Sequence, residues 1–287
     1  MRYEERSSTM ATKLSVVAVA VLAIAGIAYF MMKEKPATNL RDLPATIPPA
    51  VVETPKAAEK PAYAEPIRPA RPEPLPALNQ SDVAVVAALQ GLNIDGLLQM
   101  VIPEEVLRKF VRAVDAVEEG KLINEYRPVV SPKGALLVDS FRTTVAGSEL
   151  GTTEEVEQFR MSAKNYKRYD AYATILTLLD SDATVATYNR FYPLLSEAYK
   201  EMGLNKGNFH SVLIRAIDNI IAAPVISGDL NLVRPKVYFE FADPALEKLP
   251  AAQKLMLRMG PENAGRVKAS LKSLRSKLVQ NQAEVQH

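Results

Sequence analysis

The longest unbroken apolar pattern in the chain runs from Leu14 to Met32, LSVVAVAVLAIAGIAYFMM, with no charged residue. As a helix it would span ~28 Å, close to the ~30 Å of a bilayer's hydrocarbon core. Tyr29 sits near one end, where an aromatic ring suits the membrane interface. A cleaved leader has a shorter apolar stretch, ~7–15 residues, followed by a small-x-small site; this run ends in Phe30, Met31, Met32 and Lys33 instead. The pattern predicts a retained single-pass transmembrane anchor over 14–32 behind a short tail, 1–13. The flanking cations are tied, with Arg2, Arg6 and Lys13 before the segment and Lys33, Lys35 and Arg41 after it. Orientation therefore rests on the brevity of the tail, which favours a cytoplasmic N-terminus and an exported bulk. A cytoplasmic-facing bulk is the alternative.

Periodicity disappears over 33–77. Residues 36–76 hold 11 of the 20 prolines and no glycine. Proline blocks helix interiors and removes ladder donors, so this stretch is expected to form a disordered, proline-rich linker that does not pack. Its alternating charges, Glu53, Lys56, Glu59, Lys60, Glu65, Arg68, Arg71 and Glu73, keep it solvated. A proline-rich ligand for a recognition domain is a lesser reading.

Helical spacing begins at residue 78 and continues to 279, with a flexible tail expected over 280–287. Ser81 and Asp82 offer an N-cap to VAVVAALQ, which Gly91 ends. Pro103–Glu105 open a second helix with Val106, Leu107, Phe110, Val111 and Val114 at three-and-four spacing, closed by Gly120. From Arg127 to Gly151 the period is lost, and SPKGALLVDSF reads as one short strand. Helices follow over 165–180 and 182–202, the second kinked or split by Pro193. Asn208 caps another that ends before Pro224. RPKVYFEF reads as a short extended segment. Asp243–Pro244 start a short helix, LPAAQKLMLRMG forms another, and Gly260–Pro261 separate it from a last helix reaching about Val279. The expected fold is mainly α: a transmembrane helix, a linker, and a compact helical C-terminal domain with one or two short strands.

Composition narrows the chemistry. A 48% hydrophobic content supports a real core. Cysteine is absent, which removes disulfides, thiolate metal sites and cysteine nucleophiles. His210 and His287 are the two histidines, so a histidine-rich metal site is excluded and no cofactor is expected. A lone His210 near a helix start reads as a surface or capping residue. Lys and Arg total 35 against 33 Asp and Glu, a balance that argues against nucleic acid as a partner.

The strings NYKRYDAY (165–172), RFYPLLSEAYKEMG (190–203), AIDNIIAAP (216–224) and YFEFADPALEKLPAAQKLMLRMGPENAGRVKASLKSLR (238–275) resemble the bacterial envelope family catalogued as domain of unknown function 3014. The likeness covers roughly 140–278 and weakens over 78–139. It implies an anchored envelope protein at the bacterial inner membrane, and it transfers no catalytic residue.

Three polar constellations stand out. Tyr166, Arg168, Tyr169, Asp170 and Tyr172 form the densest polar–aromatic cluster. As a helix, Tyr166, Tyr169 and Asp170 share one side, either packed on a neighbour or lining a cleft. Arg215, Asp218 and Asn219 make a polar stripe on an otherwise apolar helix, either its wet edge or a buried link in which Arg168 pairs with Asp218. From Lys254 to Lys277 seven bases, among them Arg258, Arg266, Lys268, Lys272 and Arg275, meet one acid, Glu262, while 78–253 has a net charge of −5. Such a basic helix docks onto its own acidic domain or onto an anionic partner; Leu271, Leu274 and Leu278 favour the first.

GLLQMVIP (96–103) is similar to a string of cell-wall lytic transglycosylases, but the Glu-Ser pair those enzymes carry upstream is missing. Asp170, Asp218 and Glu240 show no spacing that singles out a carboxylate pair. The sequence thus points to a non-catalytic interaction or scaffolding module exposed to the periplasm. Its expected partners are the membrane and another envelope protein or anionic wall component. The alternative is an envelope enzyme acting on wall polymer or lipid through an Asp/Glu/Tyr/Arg site.

Overall fold

The computed structural model describes residues 60–283 except 68–73, 123–124, 126, 147–152 and 205. The expected anchor at 14–32 and most of the expected linker lie outside them. Among the described residues no helix is long and apolar enough to cross a membrane.

The helical part is built from α1 (Asp82–Gln90), α2 (Leu97–Met100), α3 (Val106–Glu118), α4 (Ala163–Tyr166), α5 (Asp170–Leu178), α6 (Asp182–Glu201), α7 (Phe209–Ile221), α8 (Pro244–Glu247), α9 (Ala251–Arg258) and α10 (Gly260–Ala283). Its centre is the pair α3 and α7. Phe209, Val212, Leu213, Ile214, Ala216, Ile217 and Ile220 of α7 are all fully buried, as are Val106, Phe110, Val111, Val114 and Val117 of α3. Phe110 and Phe209 meet edge to face at 5.8 Å between ring centres, the arrangement that aromatic quadrupoles prefer. The helices α6, α9 and α10 close around this pair.

Asp82 departs from its expected role. It does not cap α1. Its two carboxylate oxygens accept from the amides of Glu105 and Val106 at 2.8 and 2.9 Å, capping α3 across the fold. Glu105 adopts the left-handed conformation, φ 51°, to turn those amides toward it. The helix thus begins at Val106, after the expected Pro103–Glu105 opening. Ser181 caps α6 and Asn208 caps α7, each accepting from the amide three residues on. Pro193 does not split its helix: α6 runs unbroken from Asp182 to Glu201. Phe191, Tyr192, Leu194 and Leu195 are buried on both sides of it, so packing stabilises the helix across the missing donor. The single helix expected over 165–180 is three pieces: α4, a 3₁₀ turn at Lys167–Tyr169, and α5.

One or two short strands were expected; the structure has a four-stranded antiparallel sheet in the order β1 (Val138–Ala146), β2 (Thr153–Met161), β3 (Asn231–Val233) and β4 (Glu240–Phe241). Of the expected segment RPKVYFEF, only Glu240 and Phe241 are strand. Met161, Leu230, Leu232 and Phe241 form a second, smaller core with Leu257 of α9. That core fixes one end of the sheet to the helices. The rest of the β1–β2 hairpin is exposed on both faces: Phe141 and Val156 on one, Arg142, Glu155 and Glu157 on the other. Strands solvated on both faces lack apolar alternation, which is why 153–161 escaped the pattern reading.

Gly260 marks the corner between α9 and α10. Its φ is 84°, and a Cβ there would lie 2.5 Å from Cγ of the Tyr166 ring. Gly134 has a similar φ, 82°, with nothing within 4 Å. Gly260→Ala is expected to cost about 3 kcal/mol or more, from backbone strain plus overpacking, and Gly134→Ala about 1 kcal/mol, from strain alone. Urea unfolding of the two variants checks the difference; equal losses would mean that the Tyr166 contact contributes nothing.

Candidate functional site

The polar stripe of α7 forms a part-buried junction of four elements. Arg215 donates through Nε to Glu118 of α3 at 3.0 Å, through Nη1 to the carbonyl of Pro61 at 3.0 Å and through Nη2 to the carbonyl of Lys206 at 3.2 Å. Asp218 accepts from Nε and Nη2 of Arg275 on α10, at 2.5 and 3.0 Å. Asn219 donates to the Val117 carbonyl of α3 and accepts from Gln253 of α9. The expected pairing of Arg168 with Asp218 does not occur. Arg275 reaches Asp218 first because α10 crosses α7, whereas Arg168 sits on the 3₁₀ turn.

Residues 60–67 run as an extended strap over this junction, a correction to the expectation that the proline-rich stretch does not pack. Prolines lock φ without preventing side-chain and carbonyl contacts, and an extended segment has its carbonyls free to accept. The Tyr63 amide donates to Ser211 Oγ at 2.8 Å; its carbonyl accepts from Asn208 Nδ2 at 2.8 Å. Its hydroxyl accepts from Arg275 at 2.9 Å, and the Arg275 guanidinium also stands 5.8 Å from the ring centre. Pro66 is buried. Lys60 meets Glu118 at 2.5 Å, beside Arg215. Burial opposes the charge on Glu118, but the hydrogen bonds from Lys60 and Arg215, with their charges, outweigh it and hold its carboxyl below the usual range. On the rim of the junction, hydrogen bonds from Lys206 and Lys121 hold Glu119 at about 2.

The cluster Tyr166–Tyr172 is a second seam, between the helices and the sheet. Arg168 donates to Asn165 Oδ1 at 2.7 Å and to the carbonyls of Gly134 and Lys133 at 2.6 and 3.2 Å. Asn165 is buried and ties the Leu137 amide to the Arg258 carbonyl. Asp170 is exposed and accepts from Asn263, which also donates to the Tyr166 carbonyl. Tyr166, Tyr169 and Asp170 do not share one side as expected: the Tyr166 ring lies against Gly260 and the small sheet core, whereas Tyr169 is buried in the helical core, with its hydroxyl pKa raised by that burial. Tyr172 bonds the Val130 carbonyl, and burial pushes its hydroxyl to about 12.

The basic C-terminal residues face their own domain. Arg266 bonds Thr174, Lys268 the Ala223 carbonyl, and Lys277 the carboxylates of Asp180 and Asp182 at 3.1 and 3.5 Å. Arg258 is buried, its guanidinium 5.5 Å from the Phe241 ring centre, and burial lowers its pKa to about 10. Lys272 is exposed. Arg215, Asp218, Asn219 and Arg275 therefore come together; Arg168, Asp170, Arg258 and the tyrosines come together elsewhere; Lys272 joins neither.

His210 corrects the surface or capping expectation. Asn208 supplies the cap, and His210, one step inside the helix, turns inward and is fully buried between Tyr188 and Tyr192. Its Nδ1 is 2.9 Å from the Tyr188 hydroxyl. Among the described residues no group of three or more histidines, aspartates and glutamates is arranged to hold a metal ion.

The remaining feature is the hairpin. Arg142 and Glu155 lie 3.6 Å apart across it; Arg160 stands 3.9 Å from Asp139, 3.1 Å from Asp229 and 5.6 Å from the Phe141 ring centre. Phe141, Val156 and Val233 share its solvent face. Among the described residues no strand pairs with the outer edge of β1.

A family model described as "Protein of unknown function (DUF3014)" matches residues 106–275, spanning α3 through most of α10. No curated protein and no solved structure matches the chain.

Two measurements bear on this geometry. Burial lowers the His210 pKa from 6.5 to about 4, so the unfolded chain binds its proton more tightly. The associated stability is present above pH 6.5 and is lost as pH falls toward 4, on the order of 3 kcal/mol in all. Carboxylates such as Glu118 and Glu119 release theirs below about 4.5. Urea unfolding between pH 7 and 5 is expected to show a decline that His210→Gln flattens; parallel curves would refute the buried neutral imidazole. Tyr63→Ala is expected to cost about 1 kcal/mol or more and to speed cleavage within residues 60–67 by a broad-specificity protease. An unchanged cleavage rate would mean that the strap does not hold.

Proposed function

This chain belongs to the DUF3014 family, whose description assigns no activity, and from that premise we propose that it is a non-catalytic interaction module. The head is held at the bacterial inner membrane by the apolar segment 14–32 and faces the periplasm. The observation that carries this reading is the outer part of the hairpin, which beyond its base at Val138, Phe159 and Met161 is exposed on both faces. A strand pair that extends past the core it is fastened to offers its surface to a partner. The charged and amide side chains that looked like a site are engaged within the head: Arg215 with Glu118, Asp218 with Arg275, Asn219 with Gln253, Arg168 with Asn165. They define a rigid body behind the hairpin. The uncharged run Leu14–Met32 supports the anchor, and the proline-rich residues after it support a spacer between bilayer and head. The expected partner is another envelope protein that reads the hairpin; anionic wall polymer is the lesser reading, because most of the basic C-terminal helix already faces its own domain.

Cell fractionation and a photo-crosslinker placed at Val156 test this. The full chain is expected to leave the membrane only with detergent, its head to be digested in spheroplasts, and Val156 to give an adduct of defined mass with an envelope protein. Release without detergent, a protected head, or no adduct would each overturn the part it addresses.

A further inference from the structure

The hairpin's free edge has a geometry that selects its partner. The Met161 amide donates to the Leu230 carbonyl at 2.8 Å, which turns the backbone groups of Met161 toward β3. Backbone direction alternates along a strand, so Arg160 and Gln158 turn toward β1. With Val138 opposite Met161 and Phe141 opposite Gln158, the amides and carbonyls of Asp139, Phe141 and Thr143 point into the hairpin. Those of Val138, Ser140, Arg142 and Thr144 point out of it. The Ser162 amide bonding the Leu137 carbonyl at 3.0 Å fits the same alternation. Four consecutive outward positions form an open hydrogen-bonding edge, and no proline or lysine along β1 blunts it.

We infer that this edge pairs with the same edge of a second copy of the chain, antiparallel about a two-fold axis, making one continuous sheet from two hairpins. The inference rests on reading the hairpin as the interaction surface. The occupant follows from charge. β1 carries one acid, Asp139, and one base, Arg142, so two copies meet with no net repulsion, whereas a strongly acidic or basic strand gains nothing from it. The charges also narrow the register. Centring on Arg142 would set two guanidiniums face to face, and centring on Asp139 two carboxylates. Centring on Ser140, Phe141 or Thr143 avoids both, and of these Phe141 is the one that sets two apolar rings against each other on the axis. Ser140 then exchanges hydrogen bonds with Arg142 of the other copy, and Asp139 lies opposite Thr143. The two Phe141 rings fall at a non-hydrogen-bonded pair on the axis, where cross-strand side chains approach most closely. Both rings lie on the exposed face that Val156 and Val233 share, so the paired sheet presents one longer apolar strip. A single strand edge buries less than the roughly 1,200–2,000 Å² of a stable interface. The pairing is therefore weak between dilute molecules and strengthened where a shared membrane concentrates them.

The chain contains no cysteine, so an introduced one reports without background. Phe141→Cys in the full-length protein in cell membranes is expected to form a disulfide-linked dimer under mild oxidation, at least tenfold more than Val156→Cys or Arg142→Cys. Adding Ser140→Pro, which removes an outward amide and leaves the hairpin's internal bonds intact, is expected to abolish that dimer. Equal crosslinking at all three positions would show random collision and overturn the inference. A maximum at Arg142 would overturn the register. No dimer from Phe141→Cys, together with a Val156 adduct to a different envelope protein, would overturn self-pairing and leave the interaction-module reading standing. Dimer formation by a chain that leaves the membrane without detergent would do the reverse.

Discussion

A helix buried over most of its surface has little solvent into which to turn its charges, and α7 meets that constraint by giving each polar residue of its part-buried stripe a different neighbour. Arg215 goes to α3 and the strap, Asp218 to α10, Asn219 to α3 and α9. The apolar contacts of α7 are numerous but non-directional and would tolerate rotation of the surrounding helices. The polar contacts are few and directional, and they fix which helix lies where. Removing Arg215 would leave the Glu118 carboxylate, whose side chain is 2% exposed, short of a partner in a low-dielectric setting, so that pair is held by the penalty for breaking it more than by its net gain.

The sheet follows a different rule. Its base is fastened by the small core around Met161, Leu232, Phe241 and Leu257 and by Asn165, which links the chain entering β1 to the end of α9. Beyond that base the strands have only each other. The protein therefore joins a tightly determined helical body to an extension whose composition is free of packing demands.

Most helices were legible because burial on one side writes a three-and-four period. Val106 through Val114 and the caps Asn208 and Asp243 were read directly from spacing and residue type, and the structure places helices at all three. Contacts between distant segments write no such signal. Asp82 looked like a cap for the helix it begins because its true acceptor role depends on residues more than twenty positions away. Arg168 and Asp218 looked like partners because Asp218 sat on an otherwise apolar helix that needed an opposite charge from elsewhere, and only the packing of α10 on α7 gives Asp218 to Arg275. Tyr63, an aromatic residue within the proline-rich stretch, was the available hint of the strap; its meaning lies in Ser211 and Arg275, far along the chain.

The strap also determines where mechanical load enters the protein. Any pull transmitted along the chain from its N-terminal side arrives at Lys60 and is handed to Glu118, Arg215, Asn208, Ser211 and Arg275. Those residues belong to α3, α7 and α10, so load enters the head at its best-packed helices and bypasses the segments that follow the strap in sequence. The leading end is thus moored to the middle of the head.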